Sequence, residues 1–195
     1  MKRLLILITC ALPMLLGAQA VPVQDVNFKK ALINNGIDKN GNGEIEESEA
    51  LLVKELNVQS KEITSLEGIA SFKNLTSLNC ISNKLSELDV SLNTCLTQLQ
   101  CNYNELLTSD MSKNVNLTFL ECSENELSVL DVSNQPELLN FNIRRNKLTT
   151  LDITKNKKLQ YFNLLFNNLT QISTSKNLVI PTDFVKDTKT KWVKK

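Results

Sequence analysis

Between Asn74 and Leu178 the apolar positions return every 21 residues without a slip in register. One column holds Leu75, Leu96, Leu117, Leu138 and Leu159, and three residues on stand Leu78, Leu99, Leu120, Phe141 and Phe162. Two further are Cys80, Cys101, Cys122, Ile143 and Leu164, followed by Asn83, Asn104, Asn125, Asn146 and Asn167, then Leu85, Leu106, Leu127, Leu148 and Leu169. A turn this short cannot bury its own apolar face. Stacked turns share one core, with strands about 4.8 Å apart in a parallel sheet, so the pattern predicts a solenoid. Leu56 to Lys73 reads as an earlier, divergent turn offset by one residue, with Leu56, Val58, Ile63 and Leu66 inward. Ahead of it, the spacing predicts a helix over Asp25 to Asn35 capped by Asp25, and another over Glu46 to Leu56 with Leu52, Val53 and Leu56 inward.

The element LxxLx(C/L)xxNxL, repeated five times and followed by L-D-V-S in Leu88 to Ser91 and Leu130 to Ser133, resembles the leucine-rich repeat. It is similar in particular to the short bacterial 21-residue class of internalin type, over Leu56 to Leu178. The resemblance implies a parallel β-sheet on the concave side, short extended or 3-10 segments on the convex side, and caps at both ends. The expected organisation is a signal peptide over 1–20, a helical cap over 21–55, a solenoid over 56–178 and a C-terminal cap over 179–195. Phe28, Ile37, Ile45, Leu51 and Leu52 would cover the first turn, and Val179, Ile180, Phe184, Val185 and Trp192 the last.

The asparagine column has a structural explanation, because a short amide carries donors and an acceptor that satisfy the backbone where a strand leaves the sheet. Cys80, Cys101 and Cys122 fill an inward column as small hydrophobes. Neighbouring turns sit about 4.8 Å apart while a disulfide wants Cβ atoms at about 3.5–4.5 Å, so these read as buried thiols. Cys95 lies off the column and is expected to be more exposed.

One stretch stands apart. DKNGNGEIEESE matches D-x-[DN]-x-[DN]-G-x5-E at Asp38, Asn40, Asn42, Gly43 and Glu49, with Glu44 at the backbone-carbonyl position and Glu46 at the position often bridged by water. Calcium takes six to eight hard oxygens, alternate residues of a tight loop point theirs inward, and the last glutamate can clamp with two. The expected ligands are therefore Asp38, Asn40, Asn42, Glu44, Glu46 and Glu49, with Asn in place of Asp at two positions implying weak binding, on the order of 10⁻⁴ to 10⁻³ M. The plainer alternative is a turn between two helices. A single hand placed ahead of a solenoid reads as a calcium-stapled lid, not a sensor.

Composition then narrows the function. The start MKR, an apolar Leu4 to Leu16 and AQA at Ala18 to Ala20 have the form of a secretory signal, which implies a secreted or periplasmic protein. Removing Lys2 and Arg3 leaves 20 basic against 21 acidic side chains, and nothing in that balance points to nucleic acid. No segment reaches the roughly 20 apolar residues of a membrane span. With no histidine, the commonest general base is missing, and no nucleophile and base stand together; an enzyme is not expected.

What remains is recognition by a monomer. The x positions of the repeat face the concave side, where Tyr103, Phe119, Tyr161 and Phe166 gather with Glu121, Glu124, Arg144 and Arg145. Aromatics and arginine are the side chains most often found as binding hot spots, so this is the candidate face for a protein partner. A carbohydrate or cell-surface ligand is the second reading. Against any site stands the possibility that Glu124 and Arg145, 21 residues apart, form only an exposed cross-strand ion pair.

Overall fold

The computed structural model describes residues 19–178 and 189–195, so nearly all of the expected signal peptide lies outside it, as do Val179, Ile180, Phe184 and Val185. Among the described residues, six short strands form one parallel sheet: β1 (Glu55–Asn57), β2 (Ser77–Asn79), β3 (Gln98–Gln100), β4 (Phe119–Glu121), β5 (Asn140–Asn142) and β7 (Tyr161–Asn163). Between the last two in sequence, β6 (Thr150–Asp152) starts a second parallel sheet with β8 (Gln171–Thr174) and β9 (Lys191–Lys194). The solenoid of about six turns with 21-residue repeats is the architecture that the periodicity predicts.

Register follows the apolar columns. Leu78, Leu99, Leu120, Phe141 and Phe162 are paired partners at strand centres, each buried, while their strand neighbours face out. Each leucine withdrawn from water contributes about 1.5–3 kcal/mol, and stacking repeats that gain once per turn. The first turn is offset as its sequence indicates: Leu56 of β1 pairs with Leu78, a step of 22.

Each asparagine of the first column is a cross-brace, buried at Asn83, Asn104, Asn125 and Asn146 and half-buried at Asn167. Asn104 donates its amide to the carbonyls of Cys80 and Cys101 at 3.0 and 3.1 Å, and its oxygen accepts from the N–H of Leu85 at 3.0 Å. Asn125 and Asn146 repeat this one and two turns on. The residue before each asparagine has positive φ: Ser82 (55°), Tyr103 (54°), Glu124 (55°), Arg145 (53°) and Phe166 (58°). Five different side chains share one left-handed conformation, so the bend dictates it. The cost is on the order of 1–3 kcal/mol each, offset by the braces on either side.

A second amide ladder was not anticipated from the sequence. Asn93, Asn114, Gln135 and Asn156, again 21 apart, are fully buried and donate to carbonyls of the preceding turn, as Asn114 does to Val90 and Asn93 at 2.9 and 3.0 Å. Among the described residues, their amide oxygens accept no hydrogen bond. The single glutamine disguises the column, although its spacing was available as a signal.

The N-terminal cap begins with helix α1 (Val26–Asn34), with Asp25 accepting from the N–H of Phe28. Phe28, Ala31, Leu32, Ile37 and Ile45 are buried in the common core. The expected helix over Glu46 to Leu56 is instead only α2 (Glu47–Ala50), because Glu55 must already be extended to pair with Ser77. Leu51 and Leu52 are consequently exposed and do not cover the first turn, while Leu56 is buried through β1 and not through a helix. Gly68, at φ 97°, lets residues 21–23 pass: a Cβ there would lie 2.9 Å from Val21 Cγ1. At the far end Trp192 meets Phe162 edge to face at 6.4 Å.

Candidate binding face and loop

The candidate face has two parts. Phe119 and Glu121 on β4 and Tyr161 on β7 lie on the outward face of the six-stranded sheet, where Phe119 and Glu121 are half-buried and Tyr161 is exposed. Tyr103, Glu124, Arg145 and Phe166 belong instead to the left-handed column, which turns their side chains onto a rim beside the strands. The rim is the more organised part. Arg144 and Arg145 lie over the Phe166 ring, 4.8 and 5.3 Å from its centroid, and both reach Glu124 Oε1, at 2.8 and 3.2 Å. Tyr103 flanks a shallow hollow of about 420 Å³ lined also by Glu124 and Arg145.

This arrangement is more than the isolated exposed pair foreseen as its plainer alternative. The Glu124 side chain is only 16% exposed and binds two guanidinium groups, which fixes both arginines against the ring. The stacking holds two flexible side chains in place before any partner arrives, which lowers the ordering cost of binding. Glu121 is held separately, accepting from the Asn102 amide at 2.8 Å.

The loop is built by the backbone hydrogen bonds of its own side chains. Asp38 accepts from the N–H of Gly41 at 2.7 Å and of Gly43 at 2.9 Å; Asn40 accepts from Asn42, and Asn42 from Glu44. Gly41 and Gly43 have φ of 73° and 81°, which the tight turn requires. Glu49 reaches back across the loop to accept from the N–H of Lys39 at 2.6 Å and of Glu46 at 3.0 Å. Burial acts to raise its pKa, but the hydrogen bonds from Glu46, Lys39 and Asn40 outweigh it and hold the carboxyl below its ordinary value. The Glu44 side chain pairs with Lys29 on α1, leaving its backbone carbonyl as the group available to a cation.

The donor chemistry fits calcium: Asp38, Glu46 and Glu49 are carboxylates, Asn40 and Asn42 supply amide oxygens, and Glu46 and Glu49 are buried with no ion pair among the described residues. In this arrangement no three acidic or cysteine side chains among the described residues converge at ligand distance. The amide groups of Asn40 and Asn42 donate to Glu46 instead, the closer at 2.6 Å. A cation would take over the role of those donors. The loop's unpaired status is also explained: Val21 donates to Ile45 at 2.7 Å and Glu47 to Gln19 at 2.9 Å, so residues 19–21 fill the backbone edge that a second loop could pair with.

Cys80, Cys101 and Cys122 are buried free thiols and Cys95 is exposed.

These features define a leucine-rich-repeat solenoid. The chain is similar to the functional domain of InlJ from Listeria monocytogenes, which includes a cysteine ladder, at 31% identity over 80% of this chain and 38% of that one, with a TM-score of 0.69. It shares its fold with an internalin, InlF, from the same organism (20% identity, 81% of this chain, 53% of that one, TM-score 0.63). It also shares it with YopM from Yersinia enterocolitica (24%, 72%, 33%, TM-score 0.53). The chain thus spans about two fifths to one half of the two internalins. No family model matches it, and neither does any curated protein. Among the described residues, no helix is long and apolar enough to cross a membrane.

Proposed function

We propose that this chain is an exported, non-enzymatic binding module that holds a protein partner on the rim and outward face of its six-stranded sheet, with a structural calcium ion in its N-terminal cap. The observation that carries the reading is the pre-set cluster of Arg144, Arg145 and the exposed Phe166, flanked by exposed Tyr103 and Tyr161. Such aromatic and arginine side chains supply most of the energy in protein interfaces. The similarity to internalins is consistent with a binding module and is associational support.

A carbohydrate or cell-surface ligand is the second reading, favoured by the same exposed rings. Affinity capture from surface extracts with the chain and with Tyr103→Ala, Tyr161→Ala and Phe166→Ala combined, run beside a glycan array, separates the two. Loss of a specific protein from the variant's capture supports the first. Full recovery by the variant places the site elsewhere.

A further inference from the structure

The near-neutral net charge conceals a strong asymmetry along the solenoid. Among the described residues, 19–143 carry 8 basic and 18 acidic side chains, whereas 144–178 and 189–195 together carry 11 basic and 1 acidic. In a solenoid, position along the chain is position along the axis, so the two ends carry opposite charge. On one particular side the separation becomes local. The columns that form β6 and β8 run back through the earlier turns as Asp110 and Asp131, Ser109 and Leu130, and Thr108 and Val129.

At the N-terminal end of this side lies a groove of about 660 Å³ lined by Glu67, Glu87, Asp89 and Asp110 over Leu66 and Ile69. It exists because the apolar column Leu88, Leu130, Leu151 is broken at Ser109, whose hydroxyl is buried without a hydrogen-bond partner among the described residues. None of the four carboxylates has an ion pair among the described residues. At the C-terminal end of the same side, Lys155, Lys157, Lys176 and Lys195 line a hollow of about 360 Å³. Of these, Lys195 alone is paired among the described residues, at 3.2 Å to Asp152, the fourth member of the Asp89, Asp110, Asp131 column. Midway between the ends, Leu107 and Val129 are 58% and 69% exposed.

An acidic end, an apolar middle and a basic end on one side is a self-complementary surface. A two-fold axis through the middle sets each acidic groove against the other copy's lysines, with Leu107 and Val129 facing their equivalents. We propose that this side is where two copies of the chain pair, antiparallel, with lysine stems from one copy filling the notch left at Ser109 in the other. The contact between Lys195 and Asp152 within one chain shows the pairing that the second copy would repeat at Asp89 and Asp110. The proposed dimer differs from the monomer expected from the sequence, and the rim at Phe166 lies outside the proposed contact.

Sedimentation equilibrium of the chain at low salt tests it against two charge reversals at exposed positions, Glu67→Lys with Glu87→Lys, and Lys155→Glu with Lys176→Glu. The chain is expected to be a dimer that weakens with salt, each double variant to dissociate at least about 100-fold more readily, and an equimolar mixture of the two variants to regain the dimer. Restoration on mixing also shows that both variants are folded. A monomeric chain at high concentration, a dimer unmoved by either reversal, or assembly beyond two copies overturns the proposal.

Discussion

Asp25 Oδ2 accepts from both the backbone N–H and the hydroxyl of Thr64, at 2.8 and 2.7 Å, across 39 residues of chain, while Oδ1 caps α1 through the N–H of Phe28 at 2.8 Å. One carboxylate thus fastens the cap to the first turn. Truncation in Asp25→Ala removes the helix cap and the cross-link together, and urea unfolding is expected to show a loss of about 2 kcal/mol or more. The acid response carries the same signature. Burial acts to raise this pKa, but the bonds from Phe28, Thr64 and Ser65 outweigh it and hold the carboxyl below its ordinary 3.8. A depressed folded pKa gives stability that is complete above the unfolded value and lost as pH falls through the folded one. Below about pH 4, Asp25→Asn should therefore lose less stability than the wild-type chain does.

The proposed calcium site makes a separate prediction. For a dissociation constant on the order of 10⁻³ M, 10 mM calcium stabilises the folded chain by about 1.4 kcal/mol. Melting in calcium against melting in a chelator should show a rise of a few degrees, absent in Glu49→Gln. A staple also predicts unchanged exposure of apolar surface, read by dye binding. Equal melting temperatures with and without calcium in the wild-type chain would remove the metal from the cap.

The two amide ladders are expected to differ in cost. Asn104 uses both ends of its amide, so Asn104→Ala leaves the buried Leu85 N–H unpaired and takes one of two donors from each of the Cys80 and Cys101 carbonyls, which keep Asn83 and Asn125. Asn114 uses only its donors, and truncating it also removes a buried oxygen that had no partner. Asn104→Ala should cost more than Asn114→Ala by about 1 kcal/mol or more in denaturant melts. Equal losses would mean that the second ladder's oxygens are satisfied in solution.

Legibility in the sequence tracked how local each cause is. The columns through Leu78 and Asn104 repeat in identity, so period alone placed them. Among the x positions Tyr161 is exposed, as alternation predicts, but Asn102 and Ser123 are buried, with Asn102 bonded to the Ser123 N–H and the Glu121 carboxylate. The stretch Glu46 to Leu56 has good helical spacing and still stops at Ala50, since strand register with Ser77 overrides a helix of one turn. The rim at Phe166 depends on a left-handed bend that no bulky residue announces.

Backbone sign at two positions can be exchanged for stability in opposite directions. Ser82 sits at φ 55° with an exposed side chain, so Ser82→Gly relieves strain and is expected to be neutral or to stabilise by up to about 1 kcal/mol. Gly68→Ala adds a Cβ against Val21 at a φ of 97° and should destabilise by about 1–3 kcal/mol. Denaturant midpoints of both variants decide the matter; a stable Gly68→Ala would mean that residues 21–23 do not pack there.

The cysteine column sets the last expectation, because exported proteins ordinarily oxidise paired thiols. Burial is the largest cause raising the Cys80 thiol well above its ordinary value; for Cys122 a hydrogen bond with Cys101 leads and burial follows. Only a thiolate attacks an alkylating reagent or a disulfide, so these groups are unreactive for as long as the turns stay stacked. Among the described residues, native labelling should modify Cys95 alone, and labelling in denaturant all four. The rate at which Cys101 becomes reactive in mild denaturant then reports opening of the solenoid's centre, and it should match global unfolding. Reaction of Cys101 well ahead of unfolding would show that the middle turns open independently of the ends, as a stack of nearest-neighbour contacts allows.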